Sequence, residues 1–229
     1  IIRTSRVLLI MLGCFVLGAL GACEETIAPI VDGEPPGGEV VASALERNTA
    51  PELGSGELDE LVAGNSQFAI DLYHALTAEE DGNLFYSPYS ISTALAMTYA
   101  GARGNTATQM EQVLHFDAKQ GVHAQFKQLQ ARVNNIGKKG KVTLNVANSL
   151  WPDRKYKFLD SFMELVNGHY DAAIKPIEFG NAGQAADLIN TWVEDKTNDL
   201  IKDILKAEDI DPLTVLALVN AIYFKGNWE

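Results

Sequence analysis

The 229 residues carry 30 acidic against 18 basic side chains, a formal net charge of −12, with 47% hydrophobic residues and only two cysteines. Such an acidic balance excludes a nucleic-acid role, which needs a basic face to neutralise phosphates. Lys138, Lys139 and Lys141 form the one basic cluster, small enough to be a solvated loop, so a heparin-like polyanion is not expected as a partner either.

The chain opens with Arg3 and Arg6, continues through the apolar run Val7 to Leu20, and reaches Leu20-Gly21-Ala22-Cys23. This is the pattern of a secretory signal peptide, residues 1–23, and the apolar run is too short and too promptly followed by Glu24 and Glu25 to span a membrane. Leu-Gly-Ala-Cys also resembles the lipobox of bacterial lipoproteins, which implies a lipid on Cys23 and anchorage at the cell envelope; ordinary cleavage with an accidental thiol is the competing reading. Both cysteines, Cys14 and Cys23, fall in this segment, so the mature chain has no internal disulfide. Loss of Arg3 and Arg6 with the leader moves the charge from −12 to −14.

Residues 24–60 are rich in Glu, Pro, Gly and small side chains, include Gly33-Glu34-Pro35-Pro36-Gly37-Gly38, and show no sustained apolar period. They read as a flexible, self-repelling tether. Residues 61–229 remain as folded material, about 170 residues, enough for one hydrophobic core. Phe68, Leu72 and Leu76 predict an amphipathic helix over 65–76. Asn83 to Tyr86 reads as a short strand leading into a helix that starts at Pro88, with Ser87 as its N-cap. That helix is apolar nearly all round (Ile91, Ala94, Leu95, Ala96, Met97, Tyr99), the pattern of burial, and Gly101 is expected to close it as a left-handed cap. Thr106 and Gln109 have the spacing of a capping box for the next helix.

Phe126, Leu129 and Val133 predict a helix over 125–133. Val142, Leu144 and Val146 alternate with polar or small residues in a strand over 141–151 that ends at Pro152-Asp153. A helix follows over 158–166, then a short strand over 173–179 in which Pro176 demands an edge or an irregularity. Residues 184–205 read as a longer helix interrupted near Thr197-Asn198-Asp199, and 213–224 as a strand buried on both faces. Helices and strands mix without a βαβ repeat, so the class is α+β. A long buried strand at 213–224 needs flanking partners, and only one other long strand precedes it, so the domain is expected to be incomplete at its C-terminal side.

Little here points to catalysis. His74, His115, His123 and His169 have neither metal-ligand spacing nor a paired acid and read as surface residues; no metal or cofactor is implied. Gly54-Ser55-Gly56 lies in the tether, outside the strand–turn–helix context of a hydrolase nucleophile. By themselves, Ser87 and Ser90 read as caps or satisfied core hydroxyls.

Three segments change that weighting. Asn83-Leu-Phe-Tyr-Ser-Pro-Tyr-Ser-Ile-Ser92 with the following Ala-Gly-Ala-Arg-Gly-Asn-Thr106, then Ala147-Asn-Ser-Leu-Trp151, then Leu218-Val-Asn-Ala-Ile-Tyr-Phe-Lys-Gly-Asn-Trp228, resemble the serpins in wording and order, over residues 67–229. The helix carrying Ile189-Asn-Thr-Trp-Val-Glu194 is similar to the one that crosses the front of the main serpin sheet. Asp199 departs from the family's usual glycine after Thr-Asn, although Asp tolerates a left-handed backbone better than most residues.

The resemblance implies helices packed around a large mixed β-sheet. It also implies that the hydroxyls of Ser87 and Ser90, with the amide of Asn220, lie under the centre of that sheet as a hydrogen-bonded cluster able to exchange partners when the sheet parts, with Trp228 at the top of the opening. The implied function is a conformational trap rather than turnover: a protease of the serine class, or of the cysteine class, cleaves an exposed loop and is held as an acyl-enzyme while the loop inserts as an added strand. In the family that reactive loop lies near the C-terminus, so it is expected beyond Glu229. A non-inhibitory binding or structural protein on the same scaffold is the alternative.

Overall fold

The computed structural model describes residues 55–79, 82–117, 121–137 and 142–226. Helix α1, Ser55–Glu79, starts within the segment that composition assigns to the tether, so residues 55–60 are helical and the boundary at 60 is too late. The physical reason is a longer apolar stripe: Leu58 and Leu61 are buried with Phe68, and Leu72 packs beside them, at alternating spacings of a helical face.

Helix α2, Pro88–Tyr99, begins where its cap signal lies, with the Ser87 hydroxyl accepting from the Ser90 backbone N–H at 3.3 Å. Residues 82–87 are not a strand; the Tyr86 hydroxyl instead donates to the Ala69 carbonyl at 3.1 Å and ties this segment to α1. Gly101 is not a left-handed cap. The end of α2 tightens through Ala100 N–H to Ala96 O and Gly101 N–H to Thr98 O, and the left-handed glycine is Gly104, φ 56°, which opens α3, Gly104–Leu114. Because α3 starts there, Thr106 and Gln109 sit inside its first turns, and the expected capping box does not form.

Helix α4, Val122–Gly137, leads to strand β1, Val142–Pro152, then helix α5, Asp160–Tyr170, and strand β2, Ala173–Ile174. Strand β2 is two residues long and lies parallel to β1 at the edge of a three-stranded sheet of order β2-β1-β3. Pro176 follows at once, and the chain rejoins only through an isolated Asp153–Ile177 bridge. Helix α6, Ala182–Lys196, stops at Thr197; Asn198 and Asp199 take φ 51° and 59°, so residues 197–205 are not helical. A short 3₁₀ turn, Ala207–Asp209, precedes strand β3, Leu216–Gly226, which runs antiparallel to β1 from Val142↔Gly226 to Pro152↔Leu216.

Strand alternation sorts the sheet into two faces. Leu150, Leu216 and Leu218 face a core built with α1, α2, α4 and α5 around Met97, Phe126, Val166 and Tyr170. Ala147, Trp151, Ala217, Val219 and Ala221 face a second core built with α6 through Ala185, Ile189, Trp192 and Val193. The fold is α+β, with helices on both sides of a mixed sheet.

Candidate functional site

The centre of the β1–β3 pair is polar on the face toward α2. Asn148 and Asn220 are register partners, two residues along from Leu150 and Leu218 and therefore on their face. Both are buried, and the Asn220 side-chain amide donates to Asn148 Oδ1 at 2.6 Å. Asn148 in turn donates through Nδ2 to the Tyr170 backbone carbonyl at 3.1 Å. That carbonyl is free to accept because Tyr170 ends α5, where the last carbonyls have no intrahelical donor.

The sequence-based cluster of Ser87, Ser90 and Asn220 is therefore arranged differently. Ser87 is spent on its own helix as the N-cap, and Asn220 pairs with Asn148 rather than with a serine. The Ser90 hydroxyl is buried with no hydrogen-bond partner among the described residues, and the same holds for Ser92. A buried hydroxyl without a partner costs about 1–3 kcal/mol, so α2 presents groups that gain by pairing elsewhere. Trp228 and Cys23 lie outside the described residues.

Sequence reasoning missed two members of this site. Asn148 was visible inside Ala147-Asn-Ser-Leu-Trp151, but its partnership with Asn220 depends on strand register. His123 reads as a surface residue and is instead half-buried on α4. Its Nδ1 lies 2.6 Å from the Tyr170 hydroxyl, and its ring stands 5.8 Å from those of Tyr99 and Tyr170 and 6.3 Å from His169. Burial, with the neighbouring His169 adding to it, pushes the His123 pKa down to about 4. Burial also drives the Tyr170 phenol well above its ordinary range, reinforced by Tyr89 and Tyr99, so its proton is retained.

Two further contacts hold the opposite face. The Asn190 amide of α6 clasps Leu205 by both backbone groups, donating to its carbonyl at 2.8 Å and accepting from its N–H at 3.0 Å. The buried Asp153 carboxylate accepts from the N–H groups of Lys155, at 2.8 Å, and Phe179, at 3.0 Å, closing the turn after β1. Among the described residues, no group of three or more His, Cys, Asp or Glu side chains is placed to hold a metal ion.

Residues 63–229 match the family model described as Serpin (serine protease inhibitor). The chain belongs to the serpin family. Similar relatives include leukocyte elastase inhibitor of Bos taurus, 42% identical over 174 residues (75% of this chain and 45% of the relative). The protein of that name from Xenopus tropicalis is 41% identical over 173 residues, 75% of this chain and 46% of its own length. Among solved structures, ovalbumin from emu (Dromaius novaehollandiae) superposes with a TM-score of 0.69 at 34% identity, covering 74% of this chain and 48% of that one. The chain thus spans about half the length of the curated serpins it matches. Asp199 is left-handed in this serpin, so the turn survives its departure from glycine.

Proposed function

We propose that these residues form the N-terminal part of a protease inhibitor of the serine class, with cysteine proteases as a second target class, acting by conformational trapping. The observation that carries this is the polar pair at the centre of the sheet, Asn220 bonded to Asn148 at 2.6 Å, in a fold whose helix α2 also buries Ser90 and Ser92 hydroxyls that have no partner among the described residues. An exchangeable set of amides and hydroxyls suits a sheet with two arrangements. In this reading the protein is not an enzyme. The protease nucleophile attacks the bait-loop carbonyl, the peptide bond breaks as its nitrogen leaves as a protonated amine, and the acyl-enzyme, an ester with serine or a thioester with cysteine, persists because loop insertion deforms the protease before water completes hydrolysis.

By the serpin resemblance the bait loop belongs C-terminal to Glu229. The lipobox-like leader adds an exported protein tethered to a membrane through Cys23. The test is to incubate the full gene product with trypsin-like, chymotrypsin-like and papain-like proteases and resolve the mixture on denaturing gels. A protease-stable band of the summed mass is the expected result. Cleavage of the loop without such a band would replace the inhibitor by a non-inhibitory serpin scaffold.

A further inference from the structure

The hydrogen bonds at the centre of the sheet continue outward through a single residue. Asn220 Nδ2 to Asn148 Oδ1 is 2.6 Å, Asn148 Nδ2 to the Tyr170 carbonyl is 3.1 Å, and the Tyr170 hydroxyl to His123 Nδ1 is 2.6 Å. Tyr170 serves both ends: its backbone orients the sheet amide, and its ring reaches α4. Its ring is fully buried, 5.8 Å from that of Phe126. The following residue, Asp171, turns left-handed at φ 51°, so the chain leaves α5 at the point where its carbonyl is used.

We propose that His123 is a positioning residue for the Asn148–Asn220 pair: by holding the Tyr170 hydroxyl it fixes the end of α5 whose carbonyl orients Asn148, and so joins α4 to the centre of the sheet. The coupling stands on the geometry alone; its bearing on inhibition rests on the function proposed above.

The link has a direction that pH reverses. Burial keeps the Tyr170 proton in place, and in the neutral tautomer with its hydrogen on Nε2 the His123 ring accepts at Nδ1 from the Tyr170 O–H. Protonation of His123 makes Nδ1 a donor to the phenol oxygen, so the bond reverses and the phenol becomes the acceptor. The groups facing the ring are Tyr99 from α2 with Tyr170 and His169 from α5, and Tyr89 of α2 acts on Tyr170. None of these is a carboxylate. The Glu111 carboxylate of α3 is engaged by the Tyr99 hydroxyl at 2.6 Å.

The experiment compares the full chain with Tyr170→Phe, His123→Gln and His123→Phe, using residue-resolved hydrogen exchange and the side-chain amide NMR signals of Asn148 and Asn220. Tyr170→Phe removes one hydroxyl and keeps the ring. Exchange at Val219, Asn220 and Ala221 is expected to quicken by about threefold to tenfold, the worth of one hydrogen bond. The Asn148 signals should move, and α6 amides on the opposite face should keep their rates. His123→Gln retains an acceptor and should stay near wild type, whereas His123→Phe should behave like Tyr170→Phe. Unmoved Asn148 and Asn220 signals, or equal acceleration in α6 and β3, would overturn the coupling. In the full gene product, the local pattern without any protease complex would sustain the coupling and reject the inhibitor reading.

Discussion

Gly64 of α1 lies against the backbone carbonyl of His115, at the C-terminal end of α3, so closely that a Cβ has no room there. The contact joins two helices that are about fifty residues apart in the chain, and the Asp71 carboxylate reinforces it with a 2.7 Å bond to His115 Nε2. His115 itself is left-handed, φ 54°, so the carbonyl is held in a defined direction. Gly64→Ala should therefore destabilise the fold by about 1–3 kcal/mol, as overpacking against backbone does. Thermal or urea unfolding checks it, and an unshifted midpoint would mean that α1 and α3 part without cost.

Asn220→Ala should cost about 1–3 kcal/mol, because the Asn148 carbonyl oxygen loses its donor inside the core. Asn148→Ala should cost a similar amount, and the double substitution should cost less than the sum, since each single change already breaks the shared bond. A double-mutant cycle from denaturant midpoints measures this. Strict additivity would show that the two amides act independently.

The pH dependence follows from His123. Its folded pKa, about 4, lies below the ordinary value of 6.5, so the fold favours the neutral ring. Above the unfolded pKa that contribution is fully present; as pH falls from about 6.5 towards about 4 the unfolded chain binds the proton more readily and stability declines. His123→Gln should flatten this part of the curve. His169→Gln, which removes the neighbouring imidazole, should raise the His123 pKa. Histidine ring NMR titration checks the second outcome, and a His123 titrating near 6.5 in the wild type would refute both. Asp71, held low by its bond to His115, adds its own loss only at more acidic pH.

The proposed membrane attachment through Cys23 predicts fatty-acid incorporation in cells expressing the full gene product, absent from Cys23→Ser. Metabolic labelling measures it, and equal label in both would leave the lipobox likeness without chemical meaning.

What the sequence determined by itself is local. The start of α2 is written in Ser87-Pro88, the break after α6 in Thr197-Asn198-Asp199, the irregular edge in Pro176, and the two long strands in their alternation or continuous apolarity. Each signal is carried by a backbone preference or a side chain acting on residues within one turn of itself. The three family-like segments fall on α2, β1 and β3, the elements that meet at the centre of the sheet. Tertiary structure decided the rest. Helix α1 reaches back to Ser55 because Leu58 finds a core to enter, which a Gly- and Glu-rich neighbourhood conceals. Asn83 to Tyr86 has the composition of a strand but is held by the Tyr86 hydroxyl against α1. Asn220 meets Asn148 rather than Ser90 because antiparallel register, set by more than seventy intervening residues, puts one amide opposite the other. His123 is half-buried among tyrosines only once α2, α4 and α5 have packed. Caps and periodicity are properties of a segment, whereas partners and pKa values belong to the surroundings that the folded chain assembles.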